Sequence, residues 1–268
     1  MISALLHGQL TWNLPLLCIS VFLIIVYFYY SKRNPSSIPL RKPLFFLAGI
    51  SLLYLAIGSP LLAISHLSFN FHMIQMSILY FIVPPLILLG IPASLAKDIG
   101  KIGFIKRLSP YWISPKGALI AFSILFLSYH LPFLLHIISQ DPMLKMVYTS
   151  MLFLLAFQMI WPLASPIPEK RLMKQAKTNY LIKSSIYIMP ACLLFIVSAF
   201  FADMNNPFLA QAMTDLCLPA GHSIQVLPPP FNTKYDQILS GVFMLGLHKF
   251  GLVFVGKVNV TQQNHGGV

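Results

Sequence analysis

Acidic side chains are the scarcest feature of this chain, with only six Asp or Glu among 268 residues. They are Asp98, Asp141, Glu169, Asp203, Asp215 and Asp236. A single glutamate leaves no room for an HExxH zinc-protease helix, and neither a GxSxG elbow nor a Gly-rich phosphate loop is present. Hydrolytic chemistry is excluded on these grounds, and a non-enzymatic role is expected. Cysteine is almost as rare. Cys18 and Cys192 fall in apolar runs and Cys217 in a long loop, an odd and scattered set without a CxxC pair. That pattern excludes a disulfide-stapled ectodomain and a thiol relay. Charge of either sign makes up 9% of the residues, where a soluble domain carries about 25%. Such a chain cannot clothe itself in a polar surface, so a soluble fold is excluded as well. Regular alternation over about ten residues is missing, which excludes a membrane β-barrel. No internal repeat is visible.

What the chain has is apolar length: 57% of its residues are hydrophobic and the mean hydropathy is +0.77. Seven stretches reach the ~20 residues needed to cross a bilayer, at about 12–30, 44–64, 71–90, 117–138, 144–163, 181–203 and 237–256. Lipid offers the backbone no hydrogen-bond partners, so continuous apolar runs must be helices. The expected fold is an all-α integral membrane protein, a bundle of seven transmembrane helices. It occupies residues 1–257 and is followed by a frayed polar tail, 258–268. The first span is not expected to be a cleavable signal peptide, because its basic flank, Lys32-Arg33, follows the apolar run.

The net charge of +12 is distributed by topology. Basic residues gather between the first and second spans (Lys32, Arg33, Arg41, Lys42), the third and fourth (Lys97, Lys101, Lys106, Arg107, Lys116) and the fifth and sixth (Lys170, Arg171, Lys174, Lys177). The alternate connections are nearly bare. The positive-inside rule then puts the three basic loops and the C-terminus in the cytoplasm and the N-terminus outside. The charge meets anionic membrane lipid, not nucleic acid. The longest connection, 204–236, contains Pro207, Pro219 and Pro228-Pro229-Pro230 and is expected to be an irregular outer loop with one short amphipathic helix near 207–217.

With this orientation six of the eight histidines, His7, His66, His72, His130, His136 and His222, fall on the outer side. Met73, Met76, Met143, Met146, Met204 and Met213 lie at the same level. Imidazole with thioether is a donor set suited to copper, and thioether favours Cu(I). In the third span His72 and Met76 are four residues apart and share a helix face. Gln75 beside them is placed to orient the imidazole or to bond a neighbouring helix. His130 and His136 are six apart with Pro132 between them, so they form no helix-face pair. Methionine is a common gap-filler, and an interfacial histidine often serves only structure. His248, mid-span beside Lys249, reads as polar glue or part of a snorkelling anchor. Pro84-Pro85 removes two backbone donors and leaves the Tyr80 and Phe81 carbonyls without their usual partners. A kink is expected there, splaying the outer half of the helix and opening a cleft beneath His72.

The run from His72 to Pro92, HMIQMxxLxxxxPPLxLxGxP, resembles the multi-span CtaG family of cytochrome c oxidase assembly factors found in Bacillus-type bacteria. GSPL (58–61), YHLPF (129–133) and LPPPFNTKYDQ (227–237) are similar to further stretches of that family, and the resemblance extends over residues 1–257. It implies seven spans in the bacterial plasma membrane and a role in making an active haem–copper oxidase, whose subunits are the implied partners. It also implies help in bringing copper to the oxidase. His72 and Gln75 match the family's His-x-x-Gln, and His130 its fourth-span histidine. Many relatives carry a second histidine where this chain has Met76, which would shift a site towards Cu(I). The resulting candidate copper ligands are His72, Met76 and His130, with Gln75, His66 and His136 as supporting or alternative groups. Two other functions compete: a small permease for copper or another solute, and a haem protein using axial histidines.

Overall fold

The computed structural model describes residues 12–33, 39, 41–103, 107, 113–201, 231 and 233–264; the side chains of Pro132 and residues 259–264 are not described. All regular structure among the described residues is helical. In chain order the helices are α1 (Leu14–Arg33), α2 (Arg41–Gly58), the short α3 (Leu61–Ser65), α4 (Phe69–Ser77), a π-helical turn (Ile78–Ile82) and α5 (Val83–Gly90). Then come α6 (Ala93–Lys101), α7 (Pro115–Tyr129), α8 (Pro132–Gln140), α9 (Pro142–Ala164), α10 (Lys174–Phe201) and α11 (Lys234–Asn264).

Six helices are long and apolar enough to cross a membrane: α1, α2, the continuous Phe69–Gly90 segment, α9, α10 and Lys234–Val258 of α11. The expected fourth span differs. It is divided into α7 and α8, which meet at 84°. Proline explains the break. Pro132 opens α8, and the residue before a proline is driven out of the helical region; Leu131 accordingly sits at φ −67°, ψ 130°. With 15 residues, α7 rises about 22 Å, short of the ~30 Å hydrocarbon core. The helix α8 then lies across the end of the bundle, with Leu135, Ile138 and Ser139 buried and Phe133, His136, Ile137 and Gln140 exposed.

Other boundaries moved for equally local reasons. The second span stops at Gly58, not 64, because Ser59-Pro60 interrupts it before α3. The polar start of α10 is helical from Lys174. The expected frayed tail from 258 is helical through Asn264, as a continuation of α11.

Phe69–Gly90 is the axis of the bundle: 78% of its apolar window is buried, against 11% for α1. Lipid supplies no hydrophobic drive between helices, so contact depends on small residues and interhelical hydrogen bonds. Gly90 sits so close to the Phe46 backbone of α2 that any Cβ would overlap it. At the same end the Tyr27 hydroxyl donates to the Gly90 carbonyl at 2.8 Å, and the Tyr27 and Phe46 rings stack at 4.1 Å.

A π-helical turn precedes the two prolines. Pro84 and Pro85 withhold their N–H groups, and the helix absorbs the loss by widening over Ile78–Ile82 while remaining one span. Gly251 of α11 packs against the freed Phe81 carbonyl so closely that a Cβ there would overlap the oxygen. A neighbouring helix thus covers the weak point, as lipid requires. His72, Gln75 and Met76 are all buried.

The basic segments cluster at one end of this antiparallel bundle. Lys42 donates to the Ile91 carbonyl at 3.3 Å and Lys177 to the Gly256 carbonyl at 2.8 Å. Asp98 receives the Tyr30 hydroxyl and the Lys101 ammonium, each at 3.0 Å. Of the described histidines, His66, His72, His130 and His136 lie towards the opposite end.

Candidate functional site

The histidine end is organised around the start of α4. Its N-cap is Ser68, whose hydroxyl oxygen accepts from the Asn70 N–H at 3.1 Å. The capping anion comes from α11. Asp236, 1% exposed, accepts from the Ser68 hydroxyl at 2.8 and 2.9 Å, from the Phe69 N–H at 3.1 Å and from the Asn70 N–H at 3.3 Å. A carboxylate at a helix N-terminus meets both unsatisfied N–H groups and the positive end of the helix dipole. It locks the last span onto the axis helix one turn from His72. In the sequence Asp236 stands out only as one of six acids, with no role assigned to it. The available signal was its rarity: one of very few acids, placed where an apolar run begins.

One and two turns further in, His72 and Met76 face the same side of α4, both buried. The Tyr129 ring stacks on His72 with 6.1 Å between centroids and 24° between planes, and meets His130 edge-on at 5.1 Å. The break at Pro132 makes His130 the C-cap of α7. Its Nδ1 lies 2.6 Å from the Phe126 carbonyl. A carbonyl can only accept, so Nδ1 carries the proton and Nε2 keeps its lone pair. That Nε2 is buried and has no hydrogen-bond partner among the described residues. Phe126 and Phe195 pack on the His130 ring at 4.6 and 5.3 Å, making the surroundings dry.

The other expected members are held elsewhere. Gln75 does not turn to the imidazole; its Nε2 donates to the Ala56 carbonyl of α2 at 2.6 Å. It is an interhelical tie. His66, in the turn after α3, has its Nε2 3.0 Å from the Lys145 ammonium. Lysine has only donors to offer, so His66 accepts. Burial first, and the Lys145 charge second, push its pKa down to about 3. His136 is exposed on α8, paired with Gln140 at 3.0 Å, and does not join His130. His7, His222, Cys217, Met204, Met213 and most of the 204–236 loop lie outside the described residues. Among the described residues no three His, Cys, Asp or Glu side chains come together to hold a metal ion.

An aromatic column continues from this cluster into the bundle. Phe126 packs on Phe81 at 5.7 Å, and Phe81 on His248 of α11 at 4.7 Å. His248 is buried, and neither ring nitrogen finds a hydrogen-bond partner among the described residues. It is therefore neither hydrogen-bonded glue among those residues nor a snorkelling anchor.

The family model for the cytochrome c oxidase caa3 assembly factor (Caa3_CtaG) matches residues 14–262. No curated protein and no solved structure matches the chain significantly. With nearly its whole length covered by that model, the chain belongs to the Caa3_CtaG family of cytochrome c oxidase caa3 assembly factors.

Proposed function

We propose that this protein serves oxidase assembly by holding Cu(I), as cargo for the oxidase, at the histidine end of the bundle on the outer face of the bacterial plasma membrane. The role is non-catalytic. The observation that carries the reading is the buried Nε2 of His130, oriented by the Nδ1–Phe126 bond and left without a hydrogen-bond partner among the described residues. Burying an imidazole nitrogen with nothing to bind is costly, and a soft cation repays that cost.

The donor chemistry fits this cargo. His72 and His130 both adjoin Tyr129, and Met76 adds a thioether on the His72 face. Two imidazoles and a thioether suit Cu(I), and a dry aromatic surround disfavours the better-hydrated Cu(II) and Zn(II). Gln75, Asp236 and the His66–Lys145 pair act one step back, by fixing α4 against α2, α11 and α9. The test is complementation of a deletion strain. The intact protein restores oxidase activity, whereas His72→Ala and His130→Ala fail to do so while reaching the membrane at normal levels. Met76→Leu gives a partial loss, and copper supplementation restores part of the activity in all three. Normal maturation in both histidine variants would overturn the proposal.

The second reading, a path for a small ion, is favoured by His248 alone. Flux into proteoliposomes that disappears in His248→Ala, with oxidase maturation intact, would prefer it.

A further inference from the structure

At the basic end a cavity of about 550 Å³ opens between the start of α7, the end of α9 and the first turns of α10. Its rim carries Lys116, Asn179 and Lys183, its walls include Leu119 and Tyr187, and no carboxylate lines it. Some of the other described cations at this end are used by the protein. Lys42 and Lys177 donate to carbonyls near helix ends, and Lys101 pairs with Asp98. Lys116 and Lys183 are exposed and enter neither a hydrogen bond nor an ion pair among the described residues. Lys183 also stands nine residues into α10, about 13 Å along its axis, where the helix is already apolar. A lysine at that depth needs an anion or a route to the interface. Asn179, Lys183 and Tyr187 follow one another at helical spacing of four and so share a face. Deeper along the same two helices, Ile120, Ile124 and Ile186 are exposed apolar surface.

We infer that this groove is a binding site for one anionic phospholipid, with the phosphate between Lys116 and Lys183 and an acyl chain along the exposed isoleucines of α7 and α10. A polar cationic rim above an apolar wall complements a phospholipid and no purely polar anion. Basic pockets between transmembrane helices take anionic headgroups by this physics. Occupancy ties α7 to α10, whose far ends bring His130 and Phe195 together at 5.3 Å. The site does not depend on the copper reading.

Native mass spectrometry of the detergent-purified protein, titrated with phosphatidylglycerol, phosphatidylcholine or inorganic phosphate, tests it. Phosphatidylglycerol should bind saturably with one tight site. Binding should weaken about 30-fold in the K116Q/K183Q double variant, the loss expected of two surface lysines. The K116R/K183R variant should bind as the parent does, and K97Q/K101Q, with the same charge change elsewhere, should keep the tight site. Equal binding of phosphatidylcholine, retention of inorganic phosphate in place of lipid, or an unaltered tight site in K116Q/K183Q would each overturn the inference.

Discussion

The two ends of the bundle handle polar groups in opposite ways. At the histidine end, Asp236, Ser68, Gln75, His72 and His130 are buried and answered by partners on other helices or packed among aromatic rings. At the basic end, cations are half-buried against helix carbonyls or exposed. A buried polar group in a dry surround has no substitute partner when one is removed, whereas a surface cation is replaced by water. Precision is thus concentrated at the histidine end, and tolerance at the basic end.

Substitutions should expose this asymmetry. Asp236→Ala takes away the acceptor for the Ser68 hydroxyl and two backbone N–H groups; about 3 kcal/mol of stability should be lost, read as a large fall in the unfolding temperature of the solubilised protein. Asp236→Asn keeps one acceptor oxygen and should lose about half as much. Next comes Gly251→Ala, which drives a methyl into the Phe81 carbonyl and should cost about 2 kcal/mol by overpacking. Were Gly251→Ala neutral, α11 would not be bearing on the π-helical turn. Gln75→Leu removes the tie to Ala56 and should cost about 1 kcal/mol, in the range of interhelical hydrogen bonds in membranes. At the opposite end Lys177→Ala should cost only about 0.5 kcal/mol, as for a cation near a helix C-terminus. A loss there equal to that of Asp236→Ala would dissolve the contrast.

Acid should weaken the histidine end. His66 has an ordinary value of 6.5 and is held near 3 in the folded protein. Between those values the unfolded chain binds more protons than the folded one, so stability falls as pH drops from about 6.5 towards 3. Denaturation midpoints should fall over that window in the parent and less so in His66→Gln. An identical pH profile in both proteins would remove His66 as the source.

Much of the architecture was legible because it depends on composition and on local chemistry. Apolar length marks the spans that lipid enforces, and the His72–Met76 spacing puts both on one face. Local chemistry was less legible. Pro132 was visible, yet the apolar run continues past it; only the extended geometry of Leu131 shows the fourth span turning aside. Pro84-Pro85 marks the lost donors, but what covers the weak carbonyl is Gly251 of α11, more than 160 residues away. Asp236 caps Ser68 across a separation of 168 residues, and Gln75 bonds a backbone carbonyl. A backbone acceptor leaves no mark in the sequence, so the partner of Gln75 was not readable from it, and no local pattern joins Asp236 to Ser68.

The most direct test of the copper reading is titration of the purified, reduced protein with Cu(I) against a competing chelator. The account predicts one tight site in the parent, lost in His72→Ala and in His130→Ala, weakened in Met76→Leu and unchanged in the exposed His136→Ala. No chelator-competitive binding in the parent, or equal binding in all four variants, would contradict it.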